Sequence, residues 1–333
     1  MATMLGRLSI GAVLFSLCLF AAPAVAAELA PDAVNDAQFA DKAPPADRIT
    51  PLTIKLQVLL ARSHFSPGEI DGKYGENVRK ALRAFAEANQ LRPLNDLTRE
   101  LWEKLAVDRA PVLADYVATE RDVKGPFLEK LPSRMEDLKG LKMLAYTSAR
   151  EALAEKFHMS EALLTALNPG THLDQASTRL VVVGIAQAYG KLPAVTRVVV
   201  DKARQTVMAF GKSGGMIAFY PATVGSEEKP TPTGTLKVVS INRNPTYRYN
   251  PDYKFKGVKS KKPFIIRPGP NNPVGTVWIA LSGQEGYGIH GTPSPDKISK
   301  SESHGCVRLS NWDAEQLAGA VAKGTSVTFS EGG

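Results

Sequence analysis

Apolar residues recur at helical spacing through the first half of the chain and at strand spacing through its last third. The N-terminal stretch differs from both. After Arg7 comes the nearly unbroken apolar run "LSIGAVLFSLCLFAAPAVAA", closing on Ala24-Val25-Ala26, small residues at the two positions a signal peptidase reads. Residues 1–26 are therefore expected to be a cleaved signal peptide. Read instead as a retained anchor, the strongly apolar part falls short of the roughly 20 residues a spanning helix needs, and Pro23 interrupts its end. Residues 27–49, with Pro31, Pro44 and Pro45 among alanines and aspartates, show neither period and predict a flexible linker.

A compact helical unit is predicted over 50–106. Thr50 can cap a helix with Pro51 in its first turn, and Leu52, Leu56, Leu59 and Leu60 share one face. Gly68, Gly72 and Gly75 permit tight turns in "FSPGEIDGKYGEN", where Asp71 is read as a turn residue because the alternating oxygen ligands of a calcium loop are missing. A second helix from about Glu76 aligns Val78, Ala81, Leu82 and Phe85. A third, begun by Thr98, offers Leu101, Trp102 and Leu105.

Residues 107–140 have no clear period. In 140–186, "LAYTSAREALAEKFHMSEALLTALNPGTHLDQASTRLVVV" predicts strand, helix, helix, turn and strand. Ser160 caps the second helix, and Leu163, Leu164 and Leu167 supply its buried side. From 195 to 330 short β-branched and aromatic runs alternate with glycine turns, which predicts a mainly β domain with a late helix in "NWDAEQLAGAVAKG". The stretch 243–275, rich in Pro, Asn, Tyr and Lys, is long for a passive connection and suits a lid or clamp. The whole is a multidomain chain.

Composition adds little until the cysteines are counted. The 333 residues are 44% apolar, enough for packed cores, with a net charge of +8. Basic residues are spread among acidic ones, with only "KGVKSKKP" as a local run, so nucleic acid is not an expected partner. The excess suits general affinity for anionic envelope polymers. Of two cysteines, Cys18 would leave with the signal peptide, and Leu17 before it is too bulky for a lipid-attachment site. An exported protein normally pairs its cysteines in disulfides, so a single remaining Cys306 is either inert and buried or reactive. Its neighbours, Ser303-His304-Gly305 and Val307-Arg308, are mostly small and polar, which suits a nucleophile better than an apolar packing residue.

A thiol nucleophile needs a base. Of five histidines, His290 and His304 lie in the last domain, and one of the two is expected to serve. His158 and His172 have no acid or cysteine partner at useful spacing and are read as ordinary histidines. Gly291 and Gly305 would let backbone approach a substrate, and amides around Cys306 could hold an oxyanion. Zinc on the two histidines and the cysteine is the rival, disfavoured because no acidic residue or second cysteine stands at tight ligand spacing; neither metal nor cofactor is expected.

These residues carry a resemblance. "YGIHGT" followed by "SHGCVRLSN", with "KPTPTGTLKV" and "NPVGTVWIAL" upstream, resembles the catalytic domain of L,D-transpeptidases of the YkuD type, a β-sandwich, over about 195–330. The helical unit 50–106 is similar to peptidoglycan-binding-like modules, except that "RPLNDLTRE" replaces their second glycine-rich turn. Residues 140–186 are similar to LysM modules in element order and "LNPG", with "YTSARE" where that family has Gly-Asp-Thr. The resemblance implies Cys306 as nucleophile and His290 as general base, with its ring oriented by the Gly291 carbonyl. It also implies His304 and Gly305 as support for the oxyanion site and Arg308 and Ser303 as substrate-binding residues; a structural ion pair is the alternative for Arg308, and local hydrogen bonding is the plain reading of Ser303 and Asn311. The implied reaction joins Cys306 to the third residue of a tetrapeptide stem, expels D-alanine and passes the acyl group to an amine. That amine belongs to another stem or to an envelope protein, and carbapenems would acylate the same thiol. A stem-trimming hydrolase of the same fold and a non-catalytic wall-binding scaffold are the alternatives. With an export signal and no lipid anchor, the expected location is the periplasm, with membrane contact only during export.

Overall fold

The computed structural model describes residues 29–185, 190–225, 231–253, 258–283, 286–300 and 305–332. The expected signal peptide and the candidate residues Ser303 and His304 lie outside the described residues. Among the described residues no helix is long and apolar enough to cross a membrane.

The chain builds three helices where the apolar stripes run, Pro51–Arg62, Glu76–Ala88 and Arg99–Leu105. Thr50 and Thr98 cap the first and third by accepting from the N–H groups of Thr53 and Leu101 at 3.3 and 3.2 Å. Asp71 Oδ1 accepts from Lys73 N at 2.9 Å and from Gln57 Nε2 at 2.8 Å, the geometry of a braced turn. The stretch predicted as a flexible linker is in part built into the fold. A short helix, Pro31–Asn35, buries Val34; Lys55 Nζ donates to the carbonyls of Asn35 and Ala37, and Asn35 Oδ1 accepts from the N–H groups of Val112 and Leu113. One valine and one asparagine make these anchors, too few positions to produce a period.

The second N-terminal unit takes its first strand from an unexpected place. Strand β1, Leu113–Val117, pairs antiparallel with β2, Arg179–Val183, around helices Ala149–Lys156 and Glu161–Leu167. The "LAYTSARE" stretch, predicted as that strand, has none. Its backbone is committed to the C-terminal domain instead: Leu144 N donates to Pro268 O, and the carbonyls of Leu144 and Ala145 accept from Asn271 N and Nδ2. The two N-terminal units also share one apolar core, in which Leu59, Leu82 and Leu101 meet Leu153, Leu164 and Leu180. Arg62, buried at the end of its helix, fastens them by donating to the carbonyls of Ala110, Pro111 and Gly184 and pairing with Asp108 at 3.1 Å.

The C-terminal domain is mainly β. In chain order its strands are β3 Arg197–Asp201, β4 Thr206–Phe210, β5 Met216–Pro221, β6 Gly234–Arg243, β7 Tyr247–Tyr249, β8 Phe264–Ile266, β9 Val277–Leu281, β10 Gly288–His290, β11 Val307–Arg308 and β12 Ser326–Ser330. Among the described residues eight of them form one sheet in the order β11-β10-β9-β6-β12-β3-β4-β5, with helix Asn311–Ala320 packed on β9 and β10. The ten-residue β6 pairs with β12 on one side and β9 on the other and carries a register shift between Val238 and Ser240. The sheet curls until its two ends meet, where Thr223 and Arg308 exchange backbone hydrogen bonds of 3.0 and 2.9 Å. The mainly β catalytic domain is present as expected, its two layers formed by one curled sheet. Within 243–275, β7 and β8 pair as an antiparallel ribbon packed on Leu138 and Leu144.

Three consecutive residues opening helix Asn311–Ala320 each touch the N-terminal half. Asn311 Nδ2 donates to Glu155 Oε1 at 2.8 Å, the Trp312 ring stacks on His158 at 5.0 Å between centroids, and Asp313 Oδ2 accepts from Ser66 Oγ at 2.9 Å. Asp313, in the first turn of this helix, is buried in the junction, and that burial pushes its pKa up to about 7 against the hydrogen bonds from Ser310 and Ser66. The folded state therefore holds this proton to a higher pH than the unfolded chain, whose aspartate titrates near 4. Stability should fall as pH rises from about 4 to 7, by at most about 4 kcal/mol from this residue. Glu69 and Glu155, also pushed up to about 7 chiefly by burial, share the window. Asp313→Asn should flatten the slope without abolishing it and melt higher than the unsubstituted protein at pH 8. Calorimetry between pH 4 and 8 checks this; an unchanged slope would show that Asp313 is ionised throughout.

Candidate functional site

The site grows out of three adjacent strands. β10 runs antiparallel to β9, with His290 opposite Trp278, and parallel to β11, with Ile289 opposite Val307 and His290 opposite Arg308. Directly opposed residues share a face of the sheet. Extended by one residue, the parallel register sets Cys306 level with Gly288, on the face that carries His290 and Arg308 and about 7 Å of strand away from His290. Three of the sequence candidates are thereby brought together by pairing alone. Gly305 precedes the strand in a left-handed conformation, φ 97°, which places Cys306 at the mouth of β11.

His290 is buried, and its neighbours fix its ring. Nδ1 lies 2.7 Å from the Gly291 carbonyl, which can only accept, so Nδ1 carries the proton and Nε2 the lone pair. The indole of Trp278 stacks on the imidazole at 5.3 Å between centroids and 16° between planes. Gly288 is the space that the indole fills: a Cβ there would lie 2.7 and 2.8 Å from two Trp278 ring atoms. Gly288→Ala should tilt that ring off His290 and slow any reaction that needs the imidazole by about tenfold, as read by the steady-state rate.

Burial sets the charge state. His290 is pushed down to about 3 by desolvation, helped by the positive charge of Arg308 and opposed by the hydrogen bond to Gly291. The Cys306 thiol is pushed up to about 11 by desolvation, against the Gly288 hydrogen bond and the Arg308 charge, and Sγ donates to the Gly286 carbonyl at 3.2 Å. The resting pair is therefore neutral thiol and neutral imidazole, a nucleophile that must lose its proton during attack. Beside it Arg308 lines a pocket of about 240 Å³ with Thr223, Thr292 and Lys297, two cations facing a space fit for a carboxylate-bearing chain. Among the described residues no three His, Cys, Asp or Glu side chains are grouped to hold a metal ion.

The domain comparisons agree with this geometry. The model "L,D-transpeptidase catalytic domain" (YkuD) matches residues 195–329, and the model "Putative peptidoglycan binding domain" matches residues 50–105. The "Putative L,D-transpeptidase YkuD" of Bacillus subtilis is 30% identical over 179 residues, which span 54% of this chain and 91% of the relative. The chain belongs to the L,D-transpeptidase family. The "Probable L,D-transpeptidase YbiS" of Escherichia coli K12 is 31% identical over 192 residues, 55% of this chain and 60% of that one. L,D-transpeptidase 3 from Mycobacterium tuberculosis, a crystal structure, aligns over 42% of this chain and 62% of its own with 22% identity and a TM-score of 0.33.

Sequence reasoning passed over two members of this L,D-transpeptidase site and read a third too narrowly. Trp278 stood in "NPVGTVWIAL" as an aromatic strand residue, and only the antiparallel register puts its ring on His290. Gly288 carries no signal apart from its place two residues before the histidine. Asn311, expected to bond locally, instead bonds across long separations: it accepts from Thr276 N at 3.1 Å, 35 positions away, and donates to Glu155, 156 positions away.

Proposed function

We propose that this chain is a peptidoglycan L,D-transpeptidase whose nucleophile is Cys306 and whose general base is His290. The observation that carries the reading is a thiol and a ring whose Nε2 keeps its lone pair, because Nδ1 faces the Gly291 carbonyl, on one face of two parallel strands. As Sγ attacks the carbonyl carbon of the third stem residue, His290 Nε2 takes the thiol proton. The proton then passes to the nitrogen of the departing D-alanine as the C–N bond breaks, leaving a Cys306 thioester. An amine attacks the thioester, gives up its own proton and restores the thiol. Backbone N–H groups beside Cys306 stabilise the oxyanion, and Arg308 and Lys297 hold stem carboxylates in the adjoining pocket. The acceptor is the side-chain amine of a second stem or of an envelope protein; with water in its place the product is a trimmed stem. The protein works after export, in the periplasm, with residues 1–26 removed.

Incubation with disaccharide-tetrapeptide, followed by mass spectrometry of protein and products, tests the reading. The expected result is a thioester adduct, free D-alanine and a dimer joined between third residues. Free D-alanine with tripeptide alone would assign the hydrolase, and an unchanged stem with folded protein would leave only the scaffold.

A further inference from the structure

The junction between the two halves reaches the imidazole in a short series of contacts. Asn311 uses its whole amide. Nδ2 donates to Glu155 Oε1 at 2.8 Å and to the Pro270 carbonyl at 3.2 Å, and Oδ1 accepts from Thr276 N. The same Oδ1 lies flat against Gly291, so close that a Cβ on that glycine would fall 2.2 Å from it. Gly291 in turn presents the carbonyl that holds His290 Nδ1. Glu155 belongs to helix Ala149–Lys156 in the N-terminal half, and the stacked pair His158–Trp312 and the Ser66–Asp313 hydrogen bond keep that helix against the same turn. The carboxylates facing it are Glu151, which accepts from Asn271 Nδ2 at 2.8 Å, and Glu315, which accepts from Thr276 Oγ1 at 2.5 Å. Tyr146 supplies a further hydrogen bond to Glu155.

We propose that Glu155 is a positioning residue for His290, acting through Asn311 and Gly291, so that the N-terminal half completes the active site of the C-terminal domain. The inference rests on His290 being the base of the proposed reaction. Three variants of the full chain separate placement from charge. Glu155→Ala removes the acceptor of Asn311 Nδ2, and Glu155→Asp keeps the charge but draws it back by one methylene. Glu155→Gln keeps the oxygen at full reach. Alanine and aspartate should lower kcat for D-alanine release on the order of tenfold with KM within about twofold, and glutamine should recover most of that loss. The ring ¹⁵N signals of His290, which report its tautomer and surroundings without any substrate, should move in the first two variants and stay in the third. Unchanged signals and rates in Glu155→Asp, whose small change spares the fold even where Glu155→Ala does not, would overturn the proposal. Signals that move in Glu155→Ala and Glu155→Asp, beside an unsubstituted protein that releases no D-alanine, would sustain the positioning role and remove the proposed reaction.

Discussion

Alanine at His290 is expected to slow acylation of Cys306 by about 10³-fold, and alanine at Cys306 to abolish the thioester altogether. The reason is the charge state of the resting pair. A thiol held up to about 11 is almost wholly protonated at pH 7, so attack depends on a base at the moment of bond formation. A ring held down to about 3 is available as that base throughout the physiological range. The first-turnover burst of D-alanine should therefore keep its rate between pH 7 and 5, because His290 is not protonated there. Alkylation of Cys306 by iodoacetamide should be slow at pH 7 and rise about tenfold per pH unit until the thiol ionises. Rapid-quench kinetics and intact-protein mass spectrometry measure both. A burst that falls with a midpoint near 6.5 would show His290 titrating as an ordinary imidazole, and fast alkylation at pH 6 would reveal a standing thiolate; either result would displace the neutral-pair mechanism.

Much of this site is legible in the sequence because its chemistry is local. Cys306 and Arg308 lie within one short run, and His290 sits at the end of a strand whose glycine turn is plain in "YGIHGT". The helices of the N-terminal half are legible for a similar reason, since stripe and cap are both local and Thr50, Thr98, Ser148 and Ser160 all accept as helix caps. What sequence conceals is contact across long separations. β1 was hidden because Leu113–Val117 has a strand's period only in the company of β2, sixty-odd residues on. The "LAYTSARE" stretch looks like a strand and is not one, because Asn271 and Pro268 claim its backbone. Glu155 was invisible as a site residue, because nothing in a helix face of alternating charges says that one carboxylate meets an asparagine of another domain.

The largest structural effect is expected from the smallest change near that asparagine, Gly275→Ala. Gly275 has φ 62°, where a side chain costs about 1 kcal/mol by itself. Its Cβ would also lie 2.0 Å from Asn311 Oδ1 and 2.6 and 2.7 Å from the carbonyl carbon and Cα of Gly291. Neither neighbour is the loose end of a flexible side chain. Asn311 is fixed by its bonds to Glu155, Pro270 and Thr276, and Gly291 cannot retreat without moving the carbonyl that holds His290. The added methyl group should therefore cost about 3 kcal/mol or more of stability and, in the molecules that remain folded, about a hundredfold in acylation rate. Gly214→Ala gives the comparison: its φ is 82°, yet a Cβ there meets nothing within 4 Å, so only the backbone penalty applies. Melting temperature and D-alanine release for the two proteins separate the effects. If Gly275→Ala proves no worse than Gly214→Ala, the turn yields freely, and the contacts through Asn311 cannot be what holds the imidazole in place.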